Sequence, residues 1–426
     1  MKKAGWILII VLALIPVLIW LGIEPINARF TNFTQTMTNL GRIFALVGVS
    51  LFSLTFLLNT RLKLVENLFG GLDKTYKAHH ICGATAFLFV LFHPIFLSIQ
   101  YILISANLAA QFFLPSLDKI DVSAGIVALL LMTILLVITF FVKLKYPNWK
   151  FSHKFLGLAF IFAILHVLLI SSDISRSGAL KTYIVLMLII GITSFSYKTL
   201  FYGLKKKSVF VVEQVKKINQ NIVEICLAPK NHFGVFKPGQ FIFASFKDKE
   251  IGEEYHPFTI SSSPSEEQLR LTIKESGDYT EKLKNLKPQT KTLIEGPYGG
   301  FYSKKEGEQI WIAGGIGITP FLSMARSIKT NNKIDLFYTV KEKKDAVFIE
   351  ELQKISKQKN NFTVHAYYSS LQGRMIAKNI TEHTKNIENK EIFLCGPAQM
   401  MLDLKKQLIS LGANRNNIYF EEFGLL

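Results

Sequence analysis

Six runs of about twenty mostly apolar residues, near 5–23, 40–58, 79–104, 122–142, 153–171 and 182–201, commit the first half of this chain to a bilayer. Two of those runs carry side chains that a membrane span rarely tolerates. Ala78–Ile104 holds His79, His80 and His93, and Ser152–Ile170 holds His153 and His166; the other four runs hold no histidine. An ionisable group inside a span is costly and marks a function. Gly83 follows His79 by four residues and Gly157 follows His153 by four, so His79 rather than His80 is the counterpart of His153.

Spacing limits what these histidines can hold. On an ideal helix the step from His79 to His93 rises roughly 21 Å and returns to within about 40° of the same face. The step from His153 to His166 rises roughly 20 Å but misses that face by about 140°. The fifth span therefore needs a kink, a bulge or a tilt if both its histidines face one partner. Layers this far apart cannot share one metal ion, whose bonds to ligands are roughly 2 Å. They suit two sites stacked across the bilayer, and an imidazole from each of two helices in an apolar pocket is what a bis-histidine haem requires. Any one intramembrane histidine is more often an interhelical hydrogen-bonding group or a cap. Two spans with two histidines each, at nearly equal separation, favour haem. With six spans the third and fifth run the same way, which pairs His79 with His153 and His93 with His166. Pro94, directly after His93, predicts a local kink.

The composition divides the chain: 1–204 reads as membrane and the remainder as a water-soluble protein. The first run follows Met1-Lys2-Lys3 as a signal peptide would, but it is long for one and no small-residue cleavage site follows, so it is expected to stay as a span. Lys2, Lys3, Arg61, Lys63, Lys74, Lys77, Lys143, Lys145, Lys150, Lys154, Lys198 and Lys205–Lys207 fall on one side of the bilayer. The positive-inside rule puts that side, the N-terminus and the soluble half in the cytosol of a cell whose plasma membrane the chain spans. The net charge of +18 suits an anionic leaflet, and its scatter along the chain argues against nucleic acid. Cys82, Cys226 and Cys395 show no metal spacing and are expected to form no disulfide.

The soluble half changes pattern once. Val209–Lys216, Ile222–Leu227, Gln240–Ser245 and Leu269–Lys274 read as strands of a small antiparallel barrel. Within it lies His256-Pro257-Phe258-Thr259-Ile260-Ser261-Ser262, then Ile273-Lys274 and Gly277-Asp278-Tyr279-Thr280, opening a helix at Glu281. A hydroxyl beside backbone amides at a helix start suits a diphosphate. From Gln309 the order is strand, loop, helix: Ile310–Ala313, then Gly314-Gly315-Ile316-Gly317-Ile318-Thr319-Pro320, then a helix expected over Phe321–Lys329. Further pairs follow, Lys333–Val340 with Ala346–Ser356, Phe362–Tyr368 with a helix after Gly373, and Glu391–Cys395 leading through Gly396-Pro397 into Ala398–Leu411. That alternation means a parallel sheet with helices on both faces. The expected domains are a six-span bundle over 1–204, a barrel over 208–303 and an α/β nucleotide-binding domain over 304–426.

These motifs carry a resemblance. The soluble half is similar to the ferredoxin–NADP reductase superfamily, and the whole chain resembles the NADPH oxidase and ferric reductase family, most of all its compact prokaryotic members. The resemblance implies that His256, Pro257, Phe258, Thr259, Ser261 and Ser262 contact the flavin of FAD. It implies that Lys274, Gly277, Asp278 and Thr280 serve its diphosphate, Thr280 foremost. Gly296-Pro297-Tyr298-Gly299 matches the joint between the domains. Gly314, Gly315, Gly317, Thr319, Pro320, Cys395, Gly396 and Pro397 match the nicotinamide loops. Family members cover the flavin with an aromatic near the C-terminus, for which Phe423 fits best and Phe420 second.

The activity so implied is a wire. NADPH gives a hydride to FAD, and electrons pass singly to an inner haem b (His79, His153) and an outer one (His93, His166), then to dioxygen outside as superoxide. Lys341, with Lys343 and Lys344 nearby, stands where an NAD-specific site usually puts an acid, which favours NADPH while leaving NADH acceptable. No outer loop shows a metal-binding cluster, which favours dioxygen over a ferric or cupric chelate. A proton-relaying transport protein is the alternative of another class, and the flavin and nucleotide motifs argue against it. The chain carries no calcium loop or proline-rich segment, so activity without a protein activator is expected.

Overall fold

In a computed structural model of the chain, which describes residues 3–204, 207–303 and 307–421, every apolar run is a helix. These are α1 (Lys3–Leu21), α2 (Phe33–Leu58), α3 (Leu72–Ile102), α4 (Ile120–Phe141), α5 (Tyr146–Leu169) and α6 (Gly178–Ser196). Several begin ahead of the apolar run because polar starts are provided for. Asn32 caps α2 by accepting from the Gln35 amide at 2.9 Å. Pro147 occupies the first turn of α5, where its missing N–H costs nothing. The chain divides into two compact units, Met1–Lys205 and Lys206–Leu426.

In the first unit α2 is the hub. It packs along α3 and against α1 and α6, while α4 packs along α5. The backbones of α3 and α5, which carry the histidines, scarcely approach each other, so a slot separates them. Every span but α2 turns most of its apolar surface outward, as helices solvated by lipid tails do. One end of the bundle is tied by a polar cluster. Arg29, buried, lies 3.8 Å over the Trp20 ring and donates to the Trp20 carbonyl at 2.7 Å. Asp173 accepts from the Trp20 indole N–H at 2.7 Å and from Arg42 at 3.2 Å.

The expected irregularity in the fifth span is present. The helix of α5 is interrupted at Phe155, two residues past His153, where Phe155 N–H donates to the Ser152 carbonyl and Leu158 N–H to Phe155. These tighter bonds rotate the second half of the span relative to the first. α3 by contrast runs unbroken through Pro94, which removes one internal hydrogen bond without ending the helix.

The second unit begins with six antiparallel strands: β1 (Ser208–Asn219), β2 (Ile222–Pro229), β3 (Phe241–Phe246), β4 (His256–Thr259), β5 (Leu269–Lys274) and β6 (Lys291–Tyr298). Their order is β4-β3-β6-β1-β2-β5. The sheet curls until its edges meet, where Ile260, just past β4, bridges to Leu271 of β5. Phe210, Val212, Ile225, Ile242 and Leu271 fill its interior. A short helix, α7 (Asp278–Lys282), starts three residues before the expected Glu281.

Five parallel strands follow: β7 (Gln309–Gly314), β8 (Ile334–Val340), β9 (Phe362–Tyr368), β10 (Glu391–Cys395) and β11 (Ile418–Glu421), ordered β11-β10-β7-β8-β9. Side chains alternate across this sheet. Trp311 and Ala313 pack toward α8 (Thr319–Ala325) and α9 (Ile349–Gln358), while Ile310 and Ile312 pack toward α10 (Ala377–Thr381) and α11 (Ala398–Ser410). α8 is shorter than the expected Phe321–Lys329: Gly315–Ile318 form a tight turn before it, and the helix stops at Ala325.

Candidate functional site

Two pairs of imidazoles face each other across the slot between α3 and α5. The rings of His79 and His153 have centroids 6.2 Å apart, and those of His93 and His166 are 6.3 Å apart. His80 is exposed, beside His79. One metal held by two imidazoles needs about 6 Å between ring centroids: roughly 2 Å for each metal–nitrogen bond and about 1 Å from each nitrogen to its ring centre. Among the described residues no three His, Cys, Asp or Glu converge, so each pair offers two ligands. That set is too small for a metal held by protein alone. It fits haem, whose macrocycle supplies the remaining four ligands.

The other ring nitrogens are occupied. His79 Nδ1 lies 2.9 Å from the Thr55 carbonyl, His93 Nδ1 2.9 Å from Gly41 and His166 Nδ1 2.7 Å from Asp121. A carbonyl only accepts, so in each ring Nδ1 carries the proton and Nε2 keeps its lone pair for a ligand. His153 differs. Its Nδ1 meets the Thr139 hydroxyl at 3.4 Å, and that hydroxyl already donates to the Leu135 carbonyl at 2.7 Å. The Trp149 indole stacks on the His153 ring (5.2 Å, 15°) and donates to the Thr139 carbonyl at 3.3 Å.

In the barrel, β4 presents His256 and Pro257 partly exposed while Phe258 and Thr259 are buried. The His256 ring stacks on Tyr279 at 3.8 Å, which joins the flavin motif to the diphosphate motif. Burial pushes the Tyr279 hydroxyl well above the usual phenol range, so it is a neutral, apolar-backed ring at working pH. Lys274, Gly277 and Asp278 are exposed at the mouth of that loop. Thr280 Oγ1 accepts from the Ser276 amide at 2.7 Å and donates to the Gly277 carbonyl at 3.1 Å, so it closes its own turn. Ser261 and Ser262 are fully buried and their hydroxyls are used within the barrel. Ser261 Oγ bonds to the Arg270 carbonyl and to Thr272 Oγ1, and Ser262 Oγ accepts from the Arg270 amide. They shape the strand end rather than present an oxygen outward.

In the parallel sheet, the chain leaves β7 toward β8 and β9 on one side and returns to β10 and β11 on the other. The switch point between β7 and β10 is where such sheets bind nucleotides. Both glycine-containing loops stand there. A Cβ on Gly317 would lie 2.3 Å from the Cys395 carbonyl oxygen, and one on Gly396 3.0 Å from Gly314 Cα. Glycine is therefore required where the two loops interlock. Gly315, Gly396 and Pro397 form the accessible rim, whereas Gly314, Gly317, Thr319, Pro320 and Cys395 are buried supports. Burial drives the Cys395 thiol well above its ordinary range, which makes it packing rather than a reactive group. Lys341 is exposed past the end of β8, and Lys344 pairs with Glu342 at 2.7 Å. Phe420 lies under the Lys405 ammonium at 4.2 Å, and Phe423 lies outside the described residues.

Three family models match the chain in order. Residues 44–164 match the ferric reductase like transmembrane component, 207–301 an FAD-binding domain and 311–406 an oxidoreductase NAD-binding domain. That order of domains matches the architecture of the NADPH oxidase and ferric reductase family. Its parts are thus those of a multi-pass membrane protein that carries an FAD-binding domain and an NAD-binding domain. It is 26% identical over 240 residues to flavohemoprotein A of Dictyostelium discoideum, covering 51% of this chain and 60% of that protein. It is 31% identical over 157 residues to one component of the Na(+)-translocating NADH-quinone reductase of Pseudomonas aeruginosa, covering 33% of this chain and 39% of that one. The chain thus spans less than two thirds of either relative. Among solved structures it is similar to the flavohem-like FAD/NAD binding domain of nitric oxide dioxygenase from Vibrio cholerae. There the identity is 22%, coverage is 51% of this chain and 98% of that chain, and the TM-score is 0.46.

Tyr279 falls inside a sequence motif that gave it no role of its own, and Thr139, Trp149 and Arg326 belong to no motif. Arg326 alone left a signal: an arginine amid the apolar residues that follow the glycine loop.

Proposed function

We propose that the chain carries electrons from NADPH on the cytosolic side of a plasma membrane, through FAD and two b-type haems, to dioxygen outside. The observation that supports this reading most is the pair of histidine pairs, each about a bis-imidazole span apart, with Nε2 left for a ligand. His79 and His153 would hold the inner haem, and His93 and His166 the outer one. Bound at these places, FAD accepts a hydride and the haems carry single electrons, which is how a two-electron donor serves a one-electron acceptor. The residues do the rest. β4 and Tyr279 hold the flavin against the barrel mouth, Gly315 and Gly396 admit the nicotinamide nucleotide, and Lys341 favours its extra phosphate. The aliphatic helices exclude water and ions around the histidines.

The match of residues 44–164 to a ferric reductase like component favours one second reading, in which a ferric chelate replaces dioxygen. An anaerobic absorption spectrum of the purified protein, taken before and after NADPH and again after air, separates the readings. A b-type Soret band that reduces with NADPH and reoxidises in air with superoxide formation is the expected result. Slow reoxidation in air with fast reoxidation by ferric chelate moves the assignment to the metal reductase. No Soret band at all would leave a membrane-tethered flavin reductase.

A further inference from the structure

One short helix joins the nucleotide loop to the flavin strand. α8 begins where the Gly314–Ile318 loop ends. Its last turn and the residues just past it face Ser261–Ser263, which continue the chain directly beyond β4 and the Ile260 bridge. Ser323 Oγ donates to the Ser262 carbonyl at 2.7 Å, Arg326 Nη1 to the Ser261 carbonyl at 2.7 Å, and Ser327 Oγ bonds Ser263 Oγ at 3.0 Å. Positions 323, 326 and 327 share one helix face, so three consecutive residues of one element are held by a single face of the other.

Arg326 is the centre of this contact. Its side chain is 6% exposed. Nε and Nη2 donate to both oxygens of Glu351 in α9, at 2.7 and 2.8 Å, and the buried Glu224 carboxylate of β2 stands 3.9 Å away. A planar fork that grips a carboxylate with two donors and a carbonyl with a third fixes direction as well as distance. Neither Arg326 nor Ser323 belongs to the glycine loops or to the flavin motif.

We propose that Arg326 and Ser323 are positioning residues that set the nicotinamide loop against the flavin strand for hydride transfer. The inference rests on the FAD and NADPH reading above, but on neither the histidine pairs nor the final acceptor. Hydride transfer requires the donor carbon of the nicotinamide and the acceptor nitrogen of the flavin within roughly 3–3.5 Å, and a misplacement of about 1 Å costs on the order of 100-fold. A clasp between the two carriers is where such a misplacement would originate. Simple glue between domains would lower flavin content or melting temperature and leave the rate per bound flavin unchanged.

The test is stopped-flow reduction of the flavin by NADPH under anaerobic conditions, using the full-length protein in detergent, with rates expressed per bound FAD. Arg326→Ala should lower the limiting rate roughly 10–100-fold. The half-saturating NADPH concentration should stay within about twofold, and the flavin–nicotinamide charge-transfer absorbance should weaken. Arg326→Lys should recover little of the rate, because an ammonium cannot reproduce the fork. Ser323→Ala, which deletes one hydroxyl, should lower the rate about threefold to tenfold and covers the case in which Arg326→Ala fails to retain flavin. A wild-type rate per flavin in Ser323→Ala, or in Arg326→Ala that has kept its flavin, overturns the proposal. No flavin reduction by NADPH in the wild-type protein would instead overturn the functional reading on which it rests.

Discussion

The two histidine pairs are matched in span and differ in support. Ring centroids lie 6.2 Å apart in the His79–His153 pair, the proposed inner site, and 6.3 Å in the His93–His166 pair, the proposed outer one. Yet both outer histidines, His93 and His166, donate to backbone carbonyls at 2.9 and 2.7 Å, while in the inner pair only His79 does. His153 leans on a hydroxyl at 3.4 Å and on the face of Trp149. A carbonyl fixed in a neighbouring helix is an acceptor that no side-chain substitution removes. A hydroxyl is one that a single substitution deletes. The span is thus the same in both pairs, and the support behind the rings is built differently in each.

The largest expected effect breaks the symmetry outright. His93→Ala should remove the outer haem and His153→Ala the inner, each lowering the Soret absorbance per polypeptide by about half. Either should reduce NADPH-driven reduction of the outside acceptor by more than the roughly 10–100-fold typical of changes around a ligand. His80→Ala, on an exposed position beside the inner pair, should keep the full spectrum. Loss of Soret absorbance in His80→Ala with retention in His79→Ala would reverse the inner assignment. Quantitative haem extraction on the purified variants measures all of this.

A smaller effect should come from Gly125, which lies against His166. A Cβ there would sit 2.9 Å from His166 Nδ1 and 3.0 Å from its Cγ, too close for the ring to stay. Gly125→Ala should therefore push the ring off the Asp121 carbonyl and weaken the outer pair's hold roughly 10–100-fold, with the inner pair unaffected. Transfer of haem to apomyoglobin, followed by absorbance, reads this as one fast phase and one slow. Two equally slow phases would show that the outer ring tolerates the methyl.

How much of this was legible in the sequence follows from where each feature is encoded. The spans, the alternating strands and the interlocking glycine loops were legible because each depends on local pattern or on a residue type that only one geometry requires. The pairing of His79 with His153 was legible because helix direction follows from counting spans, and the break at Phe155 because thirteen residues do not close on one face of an ideal helix. Ser261 and Ser262 illustrate the opposite. Two hydroxyls beside a flavin motif read as ligands, and the partners that occupy them, Arg270 and Thr272, come from a strand several residues on whose register appears only in the folded barrel. The stacking of His256 on Tyr279 and the clasp around Arg326 were illegible for the same reason: they join segments whose approach is set by the curl of the sheet.

The smallest effect is the one that sharpens the comparison most. Thr139→Val keeps the shape of the side chain and deletes the only acceptor that His153 Nδ1 meets in this structure among the described residues. Hydrogen bonding at Nδ1 gives an imidazole more anionic character and so favours the oxidised, more positive iron. Removing it should raise the midpoint potential of the inner haem. Because the contact is already long at 3.4 Å, the rise should be modest, on the order of tens of millivolts, with the outer potential unmoved. Redox titration of the detergent-solubilised protein resolves the two haems if their potentials differ, and variants lacking one histidine pair identify which is which. A shift confined to the inner haem would show that the two layers, alike in span, are tuned separately. A shift in neither would leave the stacking of Trp149 as the support that matters for His153. A shift in the outer haem would mean that the depth assignment of the pairs is inverted.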